Sequence, residues 1–178
     1  MPKVSQSHLD ARRQQILDAA REQFASRGFA RTSMTDIVEA LGLSVGSIYR
    51  YFRSKDEIVI AICEQSSQAL PDELTRAGIG HFLESVRAQA RDDGHAALIM
   101  QIYAEAAVNP TLRQLVSGQL DELRASVESR LPGRDAGGRQ EIAETFVALS
   151  QGYVGQLAVR GDVDPAPFVD ALAALTAS

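Results

Sequence analysis

Disulfide chemistry is closed to this chain, because Cys63 is its one cysteine among 178 residues. A lone cysteine forms no intrachain bridge and argues against a cysteine-based zinc site. Such residues are usually small buried hydrophobes, although Cys63 sits on a helix where oxidation would be felt. Histidine is equally sparse. His8, His81 and His95 share no spacing that brings two onto one helical turn, so no metal site is expected. No apolar run approaches the roughly 18 residues of a membrane span, and Met1-Pro-Lys-Val-Ser-Gln-Ser-His lacks the apolar centre of a secretion signal. The expected setting is cytoplasmic, away from any membrane. Glycine-rich phosphate loops, a G-x-S-x-G elbow and a Cys–His pairing are all missing, so no enzyme activity and no cofactor are expected. Strand-like alternation, repeats and low-complexity tracts are absent too.

What the chain does have is enough apolar content, 45% of its residues, to bury a core. The formal net charge is −5, but it is unevenly spread. Residues 1–60 carry nine Lys and Arg against seven Asp and Glu, whereas residues 61–178 carry nine against sixteen. A weakly basic head on an acidic body fits specific contact with DNA through a small patch. A protein that coats DNA indiscriminately needs a much larger positive excess.

Helical periodicity dominates. Ile16, Ala20 and Phe24 recur at four-residue spacing within Ala11 to Arg27, and Gly28 ends that helix. Ser33 with Asp36 forms a capping box before Ile37 and Leu41; Gly42 breaks the short helix, and Ser44 is placed to cap a second one. In that second helix Ile48 and Phe52 point inward, leaving Val45, Gly46, Ser47, Tyr49 and Arg50 on a small, polar and basic outer surface. Two short helices joined by a glycine turn, with such a face on the second, are what major-groove readout requires. Ser54 and Glu57 then open a longer helix through Ile62 and as far as Leu70, joining head to body without a flexible linker. Beyond it, helices are expected over about 78–91, 95–108, 110–131, 139–160 and 164–177, with 132–138 an exposed loop. The expectation is an all-α protein of about nine helices, divided into a head, 1–54, and a body, 55–178.

The pattern Leu-Gly-Leu-Ser-x-Gly-Ser-Ile-Tyr-x-Tyr-Phe-x-Ser-Lys, read from Leu41, resembles the TetR family of one-component transcriptional repressors. The clear resemblance covers about residues 10 to 62, and Gln101 to Arg113 looks like a segment common in the regulatory halves of such proteins. It implies a DNA-binding regulator of double-stranded operators, with Tyr49 and Tyr51 on phosphate oxygens. Phosphate contacts set register while base edges carry sequence information. Arg31, Thr32 and Ser33 are further phosphate candidates. Lys55 is another, because a cation in a helix's first turn opposes the dipole unless a phosphate sits there; the alternative is a solvated lysine. For base readout the candidates are Thr35, Val45, Gly46, Ser47 and Arg50, of which Arg50 could equally hold a phosphate.

The last two helices carry more apolar surface than one core contact consumes. Phe146, Leu149, Tyr153 and Leu157 make one stripe, Gly152 and Gly155 permit close approach, and Phe168, Leu172 and Leu175 supply a matching helix. Two such pairs would form a four-helix homodimer interface and place the reading helices roughly 34–36 Å apart, on an inverted repeat. The alternative is that both helices complete a monomeric core. The family resemblance further implies an unknown small-molecule effector in a pocket bounded by residues such as Ile62, Phe82, Leu98, Met100, Tyr103 and Tyr153, each of which could instead be ordinary core. Two rival readings stand beside the ligand-released repressor. One is an effector-independent helical DNA-binding or architectural protein, the other a small-molecule binding module with a vestigial reader.

Overall fold

The computed structural model describes residues 6–66 and 69–177, the side chains of Val45, Ser66, Asp92 and Asp93 apart. Among the described residues there are nine helices and no strand, so the all-α expectation holds. The chain falls into two compact units, residues 1–67 and 68–178.

The first unit contains α1 (Gln6–Arg27), α2 (Met34–Ala40), α3 (Val45–Ile48) and α4 (Lys55–Ser66). Leu17 joins Ile16, Ala20 and Phe24 on the buried side of α1, which stops where Gly28 takes φ 85°. Positive φ is costly for any residue with a Cβ, so glycine is the natural stop there. Ile37 and Val38 of α2, Ile48 at the end of α3 and Phe52 just after it are all buried against this stripe or beside it. Leu41, expected to share the inward side of α2, is instead its half-buried C-cap.

Helix α4 corrects the expected division at residue 54. Its Ile58, Val59 and Ile62 are fully buried, it packs on α1, and Gln65 bridges Arg21 (2.8 Å) and Gln14 (2.9 Å) of that helix. Burial of each such aliphatic side chain is worth about 1.5–3 kcal/mol, which makes α4 part of the first unit's core. The helix ends at Ser66; of the extension expected to Leu70, residues 67 and 68 lie outside the described residues.

The second unit contains α5 (Arg76–Asp93), α6 (His95–Ala106), α7 (Pro110–Glu128), α8 (Ala136–Arg160) and α9 (Ala166–Ala177). Local chemistry sets the boundaries. Thr75 accepts from the Gly78 N–H (3.2 Å), and Asn109, before a first-turn proline, accepts from Thr111 (2.9 Å) and Leu112 (3.3 Å). Gly94, at φ 62°, separates α5 from α6. Asp135 accepts from the Gly138 N–H (2.9 Å), so α8 begins inside the segment expected to be a loop. Asp164 accepts from the Ala166 N–H (3.0 Å), placing the start of α9 two residues after the expected one.

Helix α8 is the axis of this unit, packing against α5, α6, α7 and α9. Phe146, Tyr153 and Leu157 are at most 2% exposed and meet Ile79, Leu83, Val127 and Leu172 in one core. The Tyr153 ring lies 4.8 Å from that of Phe168, and its hydroxyl donates to the Val163 carbonyl at 3.1 Å. Burial pushes this phenol up to about 12, so it stays a neutral donor. Gly155 faces inward, its pro-Cβ position 3.5 Å from Met100 Sδ.

Tyr153→Phe leaves the Val163 carbonyl without its buried donor. We expect it to lower unfolding free energy by about 1–2 kcal/mol, measured as a reduced urea midpoint at unchanged m-value.

Candidate nucleic-acid interface and body cavity

The entry to α2 is built around Ser33. Its hydroxyl accepts from the Asp36 N–H (3.2 Å), and the Asp36 carboxylate accepts from the Ser33 N–H (2.7 Å) and hydroxyl. Arg27 closes the arrangement with a 2.7 Å ion pair to Asp36. The Ser33 hydrogen bonds, and then Arg27, hold the Asp36 carboxyl below its usual range, so its contribution is present at neutral pH and is lost as acid protonates it.

Helix α3 is a single turn. Ser44 stands at its N-cap but makes no side-chain cap bond; Ser47 Oγ donates to the Ser44 carbonyl (2.6 Å) instead. The expected capping role for Ser44 therefore gives way to an exposed serine at the head of the reading helix. The second expected capping box is also altered: Ser54 Oγ accepts from the Glu57 N–H (3.2 Å), but the Glu57 carboxylate takes the Arg53 N–H (2.6 Å), one residue earlier than the motif prescribes.

Around this turn the exposed candidates gather on one unit. Thr35, Gly46 and Arg50 are exposed, Tyr49 is 50% exposed, and Ser47 and Tyr51 are half-buried. A Cβ added to Gly46 would meet nothing within 4 Å, and its φ is not positive. No fold-based reason therefore demands glycine there. Val45 is helical, but its side chain lies outside the described residues. Arg31 is exposed and its Nε donates to the Arg27 carbonyl (2.8 Å). Arg53 and Ser44 are exposed members of the same stretch that stand outside the expected contact set, Ser44 having been assigned to capping alone.

Two phosphate candidates are corrected. Thr32 is 2% exposed, and its hydroxyl donates to the carbonyls of Gly28 (2.9 Å) and Gln23 (3.3 Å), closing the end of α1. Lys55 is turned inward: Nζ donates to the Phe29 carbonyl at 2.7 Å and sits 4.1 Å from the centroid of the Phe29 ring. Its ammonium staples the start of α4 to the turn after α1 rather than reaching out to a phosphate.

In the second unit a cavity of about 130 Å³ lies among α5, α6, α7 and α8. Phe82, Leu83 and Val86 form one wall and Ile99 and Tyr103 another. Leu123, Ser150, Gln151 and Val154 complete it. Of the six residues expected around a pocket, the structure thus brings Phe82 and Tyr103 to this lining. Ile62 belongs to the first unit's core, Leu98 is 6% exposed, Met100 abuts Gly155, and Tyr153 is committed to Val163 and Phe168. Of the expected interface residues, Phe146, Tyr153, Leu157 and Leu172 are used up in the protomer's own core, and Gly155 makes room for Met100. Leu149, Phe168 and Leu175 are only partly covered and Gly152 is exposed.

Cys63 is 6% exposed, and burial pushes its thiol up to about 11. Thiolate is the reactive form, so this environment works against redox sensing.

A helix-turn-helix whose second helix offers a bare, polar, cationic face defines a DNA-binding transcription regulator. The comparisons agree. The family model described as bacterial regulatory proteins, tetR family, matches residues 16–62. The HTH-type transcriptional repressor Rv1474c of Mycobacterium tuberculosis is 30% identical over 131 residues, covering 74% of this chain and 70% of that protein. The structure of Salmonella enterica GusR superposes with a TM-score of 0.72 at 26% identity, covering 99% of this chain and all of that one. The multidrug binding protein EbrR, solved in complex with ethidium, shares the fold with a TM-score of 0.69 at 19% identity, covering 93% of this chain and 98% of its own. The chain belongs to the tetR family of bacterial regulatory proteins.

Lys55→Met keeps the aliphatic stem but strips the Phe29 carbonyl and ring of their cation. We expect a loss of about 1–2 kcal/mol in denaturant unfolding. For Cys63, a thiol reagent such as DTNB at pH 8 should label the native protein about a hundredfold more slowly than the urea-unfolded chain.

Proposed function

We propose that this regulator is a repressor that binds an inverted-repeat operator as a homodimer in the cytoplasm and leaves it when a small molecule occupies the second unit. The observation that carries the reading is the face around α3. Gly46 occupies open, unstrained space at its centre, with Tyr49 and Arg50 exposed beside it. A backbone bare at that point can approach the groove floor, while tyrosine hydroxyls and the guanidinium reach phosphates or base edges on either side. Tyr49, Tyr51, Arg31 and Ser33 fix register in this reading. Thr35, Gly46, Ser47 and Arg50 read bases, with Ser44 and Arg53 added to the contact surface.

Self-association uses the side of α8 and α9 turned away from the core. Ala148 and Gly152 are exposed on α8, Val159 is 86% exposed, and Leu149, Phe168 and Leu175 are half-covered alongside. Small residues there permit two helix pairs to pack closely, and a two-fold axis through them matches the symmetry of an inverted repeat. The cavity supports release by a ligand, because a concave, largely apolar lining with a few polar residues is the usual form of a small-molecule site.

Operator fragments are obtained by sequencing genomic DNA retained on the purified protein, and affinity is then read by fluorescence anisotropy. Gly46→Leu should abolish specific binding while thermal unfolding stays the same or rises slightly, since a helical glycine is replaced in free space. Retained binding would remove Gly46 from the interface. Arg50→Ala should weaken binding and reduce the slope of log K against log salt by about one if it holds a phosphate.

A further inference from the structure

Among the described residues that line the cavity of the second unit, none carries a charge. Its walls are aliphatic and aromatic, with Phe82 and Tyr103 supplying rings and Leu83 and Val154 branched carbons. Against this apolar surface stand two adjacent polar groups of α8. Ser150 is 7% exposed and its Oγ is buried with no hydrogen-bond partner; the Nε2 of Gln151 is likewise buried and unpartnered. Buried donors are normally satisfied, so two neighbouring exceptions on the wall of one cavity call for a common explanation.

We infer that the cavity's ligand is a compact, uncharged, mostly apolar molecule bearing a carbonyl oxygen, which accepts hydrogen bonds from the Gln151 amide and the Ser150 hydroxyl. The inference rests on the reading of this cavity as an effector site and names the chemistry that the site selects. Charge is ruled against by desolvation: a carboxylate or ammonium entering this lining gives up its hydration and finds no counter-ion. Size follows from the volume of about 130 Å³. A 150 Å³ apolar cavity in another protein holds benzene, so a ring of six or seven heavy atoms is the scale that fits here. The acceptor follows from the orphaned donors. A carbonyl oxygen, with two lone pairs, can accept from both an amide N–H and a hydroxyl, and a ligand without an acceptor leaves both unpaired.

Four probes of nearly one shape separate these terms: cyclohexanone, methylenecyclohexane, cyclohexanecarboxylate and cyclohexylammonium. Binding to the full-length protein is measured without DNA, by calorimetry and ligand-observed NMR. Cyclohexanone should bind about tenfold or more tightly than methylenecyclohexane, and neither ion should bind measurably. The double variant Ser150→Ala, Gln151→Leu should erase the preference for the ketone while still binding methylenecyclohexane. It should also melt no lower than wild type, because it removes orphaned polar atoms from a buried wall. Equal binding of the two neutral probes, tighter binding of either ion, or no binding of any probe up to its solubility limit would each overturn the inference. Operator release is scored separately. Ketone binding that leaves operator DNA bound would sink the effector reading while the ligand class stands, and release by a charged compound that occupies the cavity would do the reverse.

Discussion

The head of this protein is held in shape by what converges on Phe29. Its ring packs on Phe24 at 5.2 Å between centroids, so the turn leaving α1 is anchored in the core. The Lys55 ammonium takes both the Phe29 carbonyl and the face of the ring. One residue thereby fixes the end of α1, the approach to α2 and the start of α4. Thr32 adds its hydroxyl to the same corner by closing onto Gly28 and Gln23. The single turn of α3 is too short to stand on its own hydrogen bonds, since helix nucleation is unfavourable. It keeps its position because Ile48 and Phe52 are gripped by a core whose corners are already pinned.

Helix α8 shows how one long helix divides its circumference. Phe146, Tyr153 and Leu157 serve the core, Ser150, Gln151 and Val154 border the cavity, and Ala148, Gly152 and Val159 lie on the outside. These sets interleave in sequence at spacings of one to four residues. An apolar stripe therefore says that a residue faces something nonpolar, but not whether that is the protomer's own core, a cavity or a second copy. This is why the sequence reading placed Tyr153 and Phe146 in an interface and the structure places them inside.

Much of the head was legible because its signals are local. Ser33 and Asp36 are three residues apart and act within one turn, Gly28 and Gly42 break helices through their own φ, and Ile48 and Phe52 point inward by helical period alone. Lys55 and Thr32 were misassigned for the opposite reason. Their decisive neighbours lie 26 and up to nine positions away, and an isolated lysine or threonine near a reading helix looks the same whether it points in or out. The division after residue 54 failed similarly, since the capping box at Ser54 marks a helix start but not what that helix packs against.

By itself the sequence determined the helical class, the order and near-limits of the helices, the helix-turn-helix and the identity of its bare face. All of these depend on period, caps and glycines that act over one or two turns. Only the tertiary structure decided that α4 belongs with the head, that Lys55 is a staple, that Tyr153 is core, and that Ser150 and Gln151, beside an apolar cavity, keep buried polar atoms unpaired. Those facts depend on which distant side chains meet in space, and a contact between residues far apart along the chain leaves no periodic mark on either of them.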